Sequence, residues 1–312
     1  MSANHVTTQP LPRRFWAYLR ERYDPAQFVP FHLLLVAAVG GVVRARFGVA
    51  PSAEHWAAHL PLAGILLLFY FVLRVFDEHK DWDADRIAYP ERMLSRGFVT
   101  HRHLRVAAWA AVGGMFVLVL PFGVAMLAGV VVLLAYALLM LREFFVGTWL
   151  HRHLVLYGLS HNLVVFLSVH LVALGFGLAA GLGAATLGDP AIHLAALAIN
   201  GFVLSIEVAR KIRLPEEERP EVDTYSKVLG VRASALLALG VQAMSVGVLV
   251  LMPVPLGPVR TGALALAVLV ATLVVAAFLR HPTAKDAREF VHPASASTLL
   301  TFLVLASLTP GL

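Results

Sequence analysis

Residues 58–85 read AHLPLAGILLLFYFVLRVFDEHKDWDAD, an apolar run that passes at Asp77 straight into five carboxylates within nine positions. A helix needs about 20 apolar residues, each rising about 1.5 Å, to cross the roughly 30 Å hydrocarbon core of a bilayer. Comparable runs recur along the chain, giving spans near 29–46, 58–77, 101–120, 123–141, 153–177, 191–209, 231–252, 261–280 and 294–310. The composition agrees: 59% hydrophobic and 14% charged residues, with a mean hydropathy of +0.77, against roughly 45–50% and 25% in soluble domains. A soluble globular enzyme is excluded, and the expected fold class is all-α: a polytopic membrane protein of about nine transmembrane helices. The chain has no Cys, which removes disulfides, thiolate metal sites and cysteine nucleophiles.

The basic residues set an expected orientation. Of 25 Lys and Arg, 22 fall in the N-terminal segment and in the connections after the second, fourth, sixth and eighth spans, adjoining span ends included; only Arg44, Arg46 and Arg260 fall on the other side. Cytoplasmic loops collect Lys and Arg, so the N-terminus is expected inside and the C-terminus outside. The net charge of +6 is read as these loops, and no nucleic-acid partner is expected. Residues 1–28 are expected to form an N-terminal cytoplasmic or interfacial segment, and 29–312 one transmembrane domain. Arg13-Arg14 precede Phe15-Trp16, but Tyr18 to Asp24 are too polar for the apolar core of an export signal. A basic, aromatic interfacial helix is expected there.

Twelve of the nineteen acids lie in two windows, Asp77 to Glu91 and Glu207 to Asp223, each after an even-numbered span. On a helix continuing the second span, Asp77, Asp81 and Asp85 stand at about 0°, 40° and 80°, with Arg74 at about 60°, Glu78 at about 100° and Asp83 facing away at about 240°. Four crowded carboxylates must protonate, pair with bases or bind a cation. An all-oxygen set suits Mg²⁺, which is usually completed by water and substrate phosphates. The plainer alternative is an exposed acidic helix end neutralised by Arg74, Lys80, Arg86 and Arg92. Tyr89-Pro90 ends the helix, and Arg96-Gly97 leads into the third span.

The stretch Asp77-Glu78-His79-Lys80-Asp81-Trp82-Asp83-Ala84-Asp85, continued by Pro90-Glu91-Arg92 and Arg96-Gly97, resembles the first motif of the UbiA family of intramembrane prenyltransferases, NDxxDxxxD followed by a P-E-R-P-like turn and a glycine. Asp77 stands where that family has Asn, Glu78 stands for Asp, and Asp81 and Asp85 match. The resemblance implies a UbiA-like helical bundle and transfer of a prenyl group from a prenyl diphosphate to a small lipophilic, often aromatic, acceptor within the membrane, with Mg²⁺ on the leaving diphosphate. It places metal ligands at Asp77, Glu78, Asp81 and Asp85, with Asp81 and Asp85 in the catalytic set, and diphosphate contacts at Arg74, Lys80, Arg92 and Arg96.

The second window departs from the family pattern, DxxDxxxD followed by Thr and Gly. Aligning Thr224 and Gly230 on that Thr and Gly puts Arg210, Arg213 and Glu217 where three Asp would stand. Either Glu207 and Glu217 supply carboxylates in another register, or Arg210, Lys211 and Arg213, with Lys227, hold diphosphate directly through charge-assisted bonds. An ordinary salt bridge between Glu207 and Lys211, four apart, is the competing reading. Within the bundle, His193, Asn200 and Glu207 share one face of the sixth span, and Tyr157, His161 and Asn162 cluster on the fifth. Asn162 and Asn200 are the expected acceptor-side members of the catalytic set.

Two other functions compete. A divalent-cation transporter would gather ions on the acidic loops, although coupling sites usually lie near the midplane. A membrane terpene cyclase of the same superfamily would need no acceptor.

Overall fold

The computed structural model describes residues 9–309. Nine helices among the described residues are long and apolar enough to cross a membrane: Pro25–Phe47, Ala53–Lys80, His101–Phe122, Val124–Leu141, Leu154–Ala179, Pro190–Ala209, Val231–Val250, Gly257–Arg280 and Ala284–Ala306. They correspond one for one to the expected spans, and no strand occurs among the described residues. The chain is an all-α, multi-pass integral membrane protein.

The differences lie at helix ends. The first span begins at Pro25, because the Asp24 carboxylate accepts from the Ala26 amide at 3.2 Å and proline fits the first helical position. The ninth begins ten residues before its expected edge: Thr283 caps the short helix Ala284–Glu289, which passes through Phe290 into Val291–Ala306. The amide-capped helix carries Lys285, Asp286, Arg288 and Glu289, whose polarity hid it from a search for apolar runs.

Successive spans pack side by side and the ninth returns against the first, closing a ring. The fifth span is the most enclosed, with 67% of its apolar window buried, against 22% for the fourth, which faces outward. The first and ninth spans touch backbone to backbone. A Cβ on Gly41 would lie 2.0 Å from the Leu305 carbonyl oxygen, so glycine is required there.

The three arginines at the sparsely charged end all have structural partners. Buried Arg44 donates to His55 Nε2 at 2.7 Å and to the Ala306 carbonyl at 3.0 Å, Arg46 pairs with Asp189 at 2.9 Å, and Arg260 donates to the Ser307 carbonyl at 2.6 Å. Arg44 and Arg260 thus satisfy carbonyls at the C-terminal end of the ninth span, where cations are favoured.

At the other end, the second span has 28 residues, a length of about 42 Å, which exceeds the roughly 30 Å hydrocarbon core. Its last turns therefore reach beyond the apolar layer with Asp77, Glu78 and Lys80. The N-terminal helix Leu11–Arg22 does not lie free on the surface. Tyr18 is fully buried, Tyr23 donates its hydroxyl to the Leu67 carbonyl at 2.7 Å, and Arg14 donates to the Phe98 carbonyl at 3.2 Å.

Candidate active site

The second span stops at Lys80, and Asp81, at φ −92° and ψ 8°, joins it to a separate short helix, Trp82–Ala88. A helix continuous through Asp85 was expected; a ψ so far from the helical value of about −42° re-aims everything after Asp81. The four carboxylates are divided by the partners they meet. Glu78, only 3% exposed, accepts from Arg22 Nε at 2.6 Å, and Asp85 accepts from Arg92 at 2.5 Å with Arg22 also 3.5 Å away. Both thus face the N-terminal helix and the loop after Ala88. Asp83 projects into solvent, 3.4 Å from Arg86. Among the described residues, Asp77 has only a 3.7 Å contact with Arg74, and the Asp81 carboxylate forms no ion pair.

Asp81 is exposed as a residue, but its carboxyl group is crowded by neighbouring protein atoms. Burial pushes its carboxyl up to about 6, Lys80 opposes the shift, Asp77 and Asp85 reinforce it, and Lys211 opposes it from across the site. The cations facing Asp77 and Asp81 come from both windows. Lys80 donates to the Tyr157 hydroxyl at 2.7 Å, and the Tyr157 ring stacks on His161 at 4.0 Å. Glu207 takes both Arg210 and Lys211, the latter at 3.1 Å. Glu207 holds the Arg210 guanidinium firmly charged, and Asp77 adds to the same effect. The ends of the second and sixth spans therefore share one electrostatic neighbourhood.

Contacts between the loops hold this neighbourhood together. Arg219 donates to the Ala88 carbonyl, and its guanidinium lies 4.3 Å from the Tyr89 ring, which Arg92 also covers at 3.5 Å. Within the second loop, Glu218 accepts from Thr224 and Ser226, each at 2.7 Å, Arg288 pairs with Glu217, and Lys227 binds the Pro220 carbonyl at 3.1 Å. Arg213 donates its Nη1 to the Ile212 carbonyl at 2.7 Å, and Arg96 stacks over Phe98 at 4.5 Å. Tyr225 is buried against the fifth span, where a Cβ on Gly158 would lie 2.1 Å from its hydroxyl oxygen. Glycine at 158 is thus the condition for docking the second loop.

The structure brings Asp77, Asp81 and Lys80 together with Glu207, Arg210 and Lys211. Glu78, Asp85 and Arg92 cluster with Arg22, while Glu217, Lys227 and Arg96 are engaged in loop contacts. Deeper in the bundle, Asn162 Nδ2 donates to the Asn200 backbone carbonyl at 2.7 Å, leaving the buried Asn200 Oδ1 without a partner. His193 on the same face meets His170 at 2.8 Å.

Sequence reasoning did not find Arg22, Tyr157 as a partner of Lys80, or the Arg219–Tyr89 latch. Arg22 and Glu78 are 56 residues apart, and no local spacing couples them. Tyr157 did lie in the polar cluster on the fifth span, which was the one available signal.

Among the described residues, no group of three or more His, Asp or Glu converges closely enough to cage a metal ion. Two carboxylates, Asp77 and Asp81, facing cationic side chains still fit Mg²⁺, which needs only one or two protein carboxylates when water and phosphate oxygens complete its shell. They do not suit a cation that demands an all-protein cage.

No protein-family model and no curated protein matches the chain by sequence. Among solved structures, it is similar to digeranylgeranylglyceryl phosphate synthase, with 14% identity, a TM-score of 0.59 and coverage of 95% of this chain and 98% of that one. It is also similar to the apo structure of a UbiA homolog from Aeropyrum pernix K1, with 18% identity, a TM-score of 0.58 and coverage of 88% and 95%. At these identities the likeness establishes the fold: the chain is a UbiA-like bundle over nearly its whole length.

Proposed function

We propose that the protein is an intramembrane prenyltransferase that moves a prenyl group from a prenyl diphosphate to a small lipophilic or aromatic acceptor, with its N-terminus and charged loops in the cytoplasm. The observation that carries this reading is the pair Asp77 and Asp81, left without strong protein partners, opposite Lys80, Arg210 and Lys211 at the mouth of a UbiA-like bundle.

Asp77 and Asp81 would hold Mg²⁺, which would stabilise charge on the departing diphosphate. Lys80, Arg210 and Lys211 supply positive charge to the same oxygens, partly replacing the carboxylate-rich second motif of the family. Arg210 offers a planar pair of donors that a lysine lacks. When the allylic C–O bond breaks, its electron pair leaves on the diphosphate, and the acceptor atom supplies the pair for the new bond. A ring carbon or hydroxyl acceptor then loses a proton. The apolar bundle accommodates the prenyl tail, and the loop latch at Tyr89 limits water that would hydrolyse the cation. Asn162 fixes the Asn200 backbone, and the unpartnered Asn200 Oδ1 is an acceptor for a hydroxyl of the second substrate.

The test is to incubate purified protein with prenyl diphosphates of graded length and Mg²⁺, and to follow diphosphate release with and without candidate acceptors. Release that depends on acceptor supports transfer. Release without acceptor and with a cyclised product indicates a cyclase, and Mg²⁺ flux without diphosphate release indicates a transporter.

A further inference from the structure

Asp77, Glu78, Asp81 and Asp85 bring four carboxylates to the end of the second span. Glu78 and Asp85 are met by two guanidinium groups, Arg22 and Arg92, so that half of the window is electrically balanced within the protein. Asp77 and Asp81 keep two negative charges between them, which a single divalent ion balances.

Arg22 reaches the window from a helix that precedes the first span, and that helix is pinned. Along Leu11–Arg22, Tyr18 is fully buried and Glu21 accepts from the Met93 amide at 3.2 Å, while the following Tyr23 donates its hydroxyl to the Leu67 carbonyl. The guanidinium is therefore delivered as a fixed group. The Arg22 side chain is 17% exposed and that of Glu78 3%, so water screens their attraction weakly. Burial works against the charge on Arg22, but Glu78 and then Asp85 outweigh it and hold the guanidinium above its ordinary pKa.

Two nitrogens of this one group serve two acids. Nε donates to Glu78 at 2.6 Å, and Nη2 lies 3.5 Å from Asp85. Glu78 belongs to the last turn of the second span and Asp85 to the short helix Trp82–Ala88, so the two carboxylates stand on either side of the joint at Asp81. An exposed surface pair joins one acid to one base and contributes little. Arg22 instead bridges carboxylates from two helices, the position a divalent ion with oxygen ligands takes.

We propose, resting on the metal-binding role given above to Asp77 and Asp81, that Arg22 is the internal cation of this site: it fills the space between Glu78 and Asp85 that a second divalent ion would otherwise occupy, so the window takes one Mg²⁺ and not two. The N-terminal helix is then part of the site, and the number of metal ions is set by the chain itself.

The test counts ions bound to full-length protein in detergent, with Mn²⁺ as the probe and loss of its free-ion electron paramagnetic resonance signal as the readout. The wild type is expected to bind one ion per chain. Arg22→Ala is expected to bind one more, because Glu78 and Asp85 then share a vacated space beside Arg92. Adding Glu78→Gln to Arg22→Ala returns the count to one, and Arg22→Lys, which keeps a cation there, stays at one. A folded Arg22→Ala protein that melts lower but gains no ion would make Arg22 a structural brace and overturn the proposal. A wild-type count that falls by one in Glu78→Gln would overturn it as well. If Arg22→Ala does not fold, the comparison of wild type with Glu78→Gln decides, and equal counts uphold the proposal. No ion in the wild type, with one Glu78-dependent ion in Arg22→Ala, would uphold the internal cation and refute the metal role of Asp77 and Asp81, so the two readings fail separately.

Discussion

The two charged windows have six acids each but use them in opposite ways. In the first, Asp77 and Asp81 keep carboxylates with little or no pairing, while Glu78 and Asp85 anchor the N-terminal helix through Arg22. In the second, Glu207, Glu217 and Glu218 are all engaged, by Arg210 and Lys211, by Arg288, and by Thr224 and Ser226. One window therefore leaves two carboxylates with little pairing, whereas the engaged acids of the other are neutralised within the protein. Counting acids in a loop does not reveal this division; it depends on which acids already have a partner.

Substitution in the first window breaks the comparison most severely. Asp81→Ala and Asp77→Ala are expected to lower Mg²⁺-dependent turnover by about a hundredfold or more, since loss of a metal-bridging carboxylate costs several kcal/mol at about 1.4 kcal/mol per decade. Asp83→Ala, whose carboxylate is 89% exposed, should leave turnover within about twofold. Equal tolerance of all three would return the window to a solvated helix end.

Glu78→Gln tests the other half of the first window. Leaving Arg22 without its buried partner is expected to cost about 3 kcal/mol of stability, seen as a lower melting temperature in detergent. The Mg²⁺ requirement of the folded fraction should stay as in wild type. A raised Mg²⁺ requirement with unchanged melting would instead make Glu78 a metal ligand.

The pH dependence of Mg²⁺ binding sharpens the contrast further. Asp81 ionises near 6 in the folded protein, above the roughly 3.9 of an unperturbed Asp. The folded state therefore binds the proton more tightly than the unfolded chain, and metal-free protein should gain stability as pH falls through 6. Mg²⁺ needs the ionised form, so its affinity is expected to fall by up to about tenfold per unit below pH 6. An affinity flat between pH 5 and 7 would show that Asp81 is not a ligand.

The smallest effect is expected in the second window and has the opposite sign. Glu207→Gln releases Arg210 and Lys211 from their shared carboxylate, so inorganic diphosphate should bind a few-fold tighter at fixed Mg²⁺. Weaker binding would mean that Glu207 itself carries the metal.

Much of the bundle was legible in the sequence, because each membrane crossing needs an uninterrupted apolar run. All nine runs became helices, and the largest shifts at their starts came where a cap and a polar first turn outweighed hydropathy, as at Thr283. That both charged windows lie at one end of the bundle followed from each coming after an even-numbered span. The sorting of carboxylates did not. Extending the second span through Asp85 put Asp77, Asp81 and Asp85 on one face, whereas a single non-helical ψ at Asp81 divides them. Nor could spacing show that Arg22 reaches Glu78 or that Arg219 latches onto Ala88 and Tyr89, since such pairs are fixed by how distant segments pack.

In the proposed reaction, Asp77 and Asp81 would present a metal to a diphosphate that the cations of the second window also hold. Calorimetric titration of inorganic diphosphate into wild-type and Asp81→Asn protein, with Mg²⁺ and with Mg²⁺ chelated, tests it most directly. Strong binding is expected only for wild type with Mg²⁺, with a loss of about tenfold or more on chelation or substitution. Affinity that is the same in all four titrations would contradict it, because the arginines and Lys211 would then bind diphosphate without any contribution from Asp81.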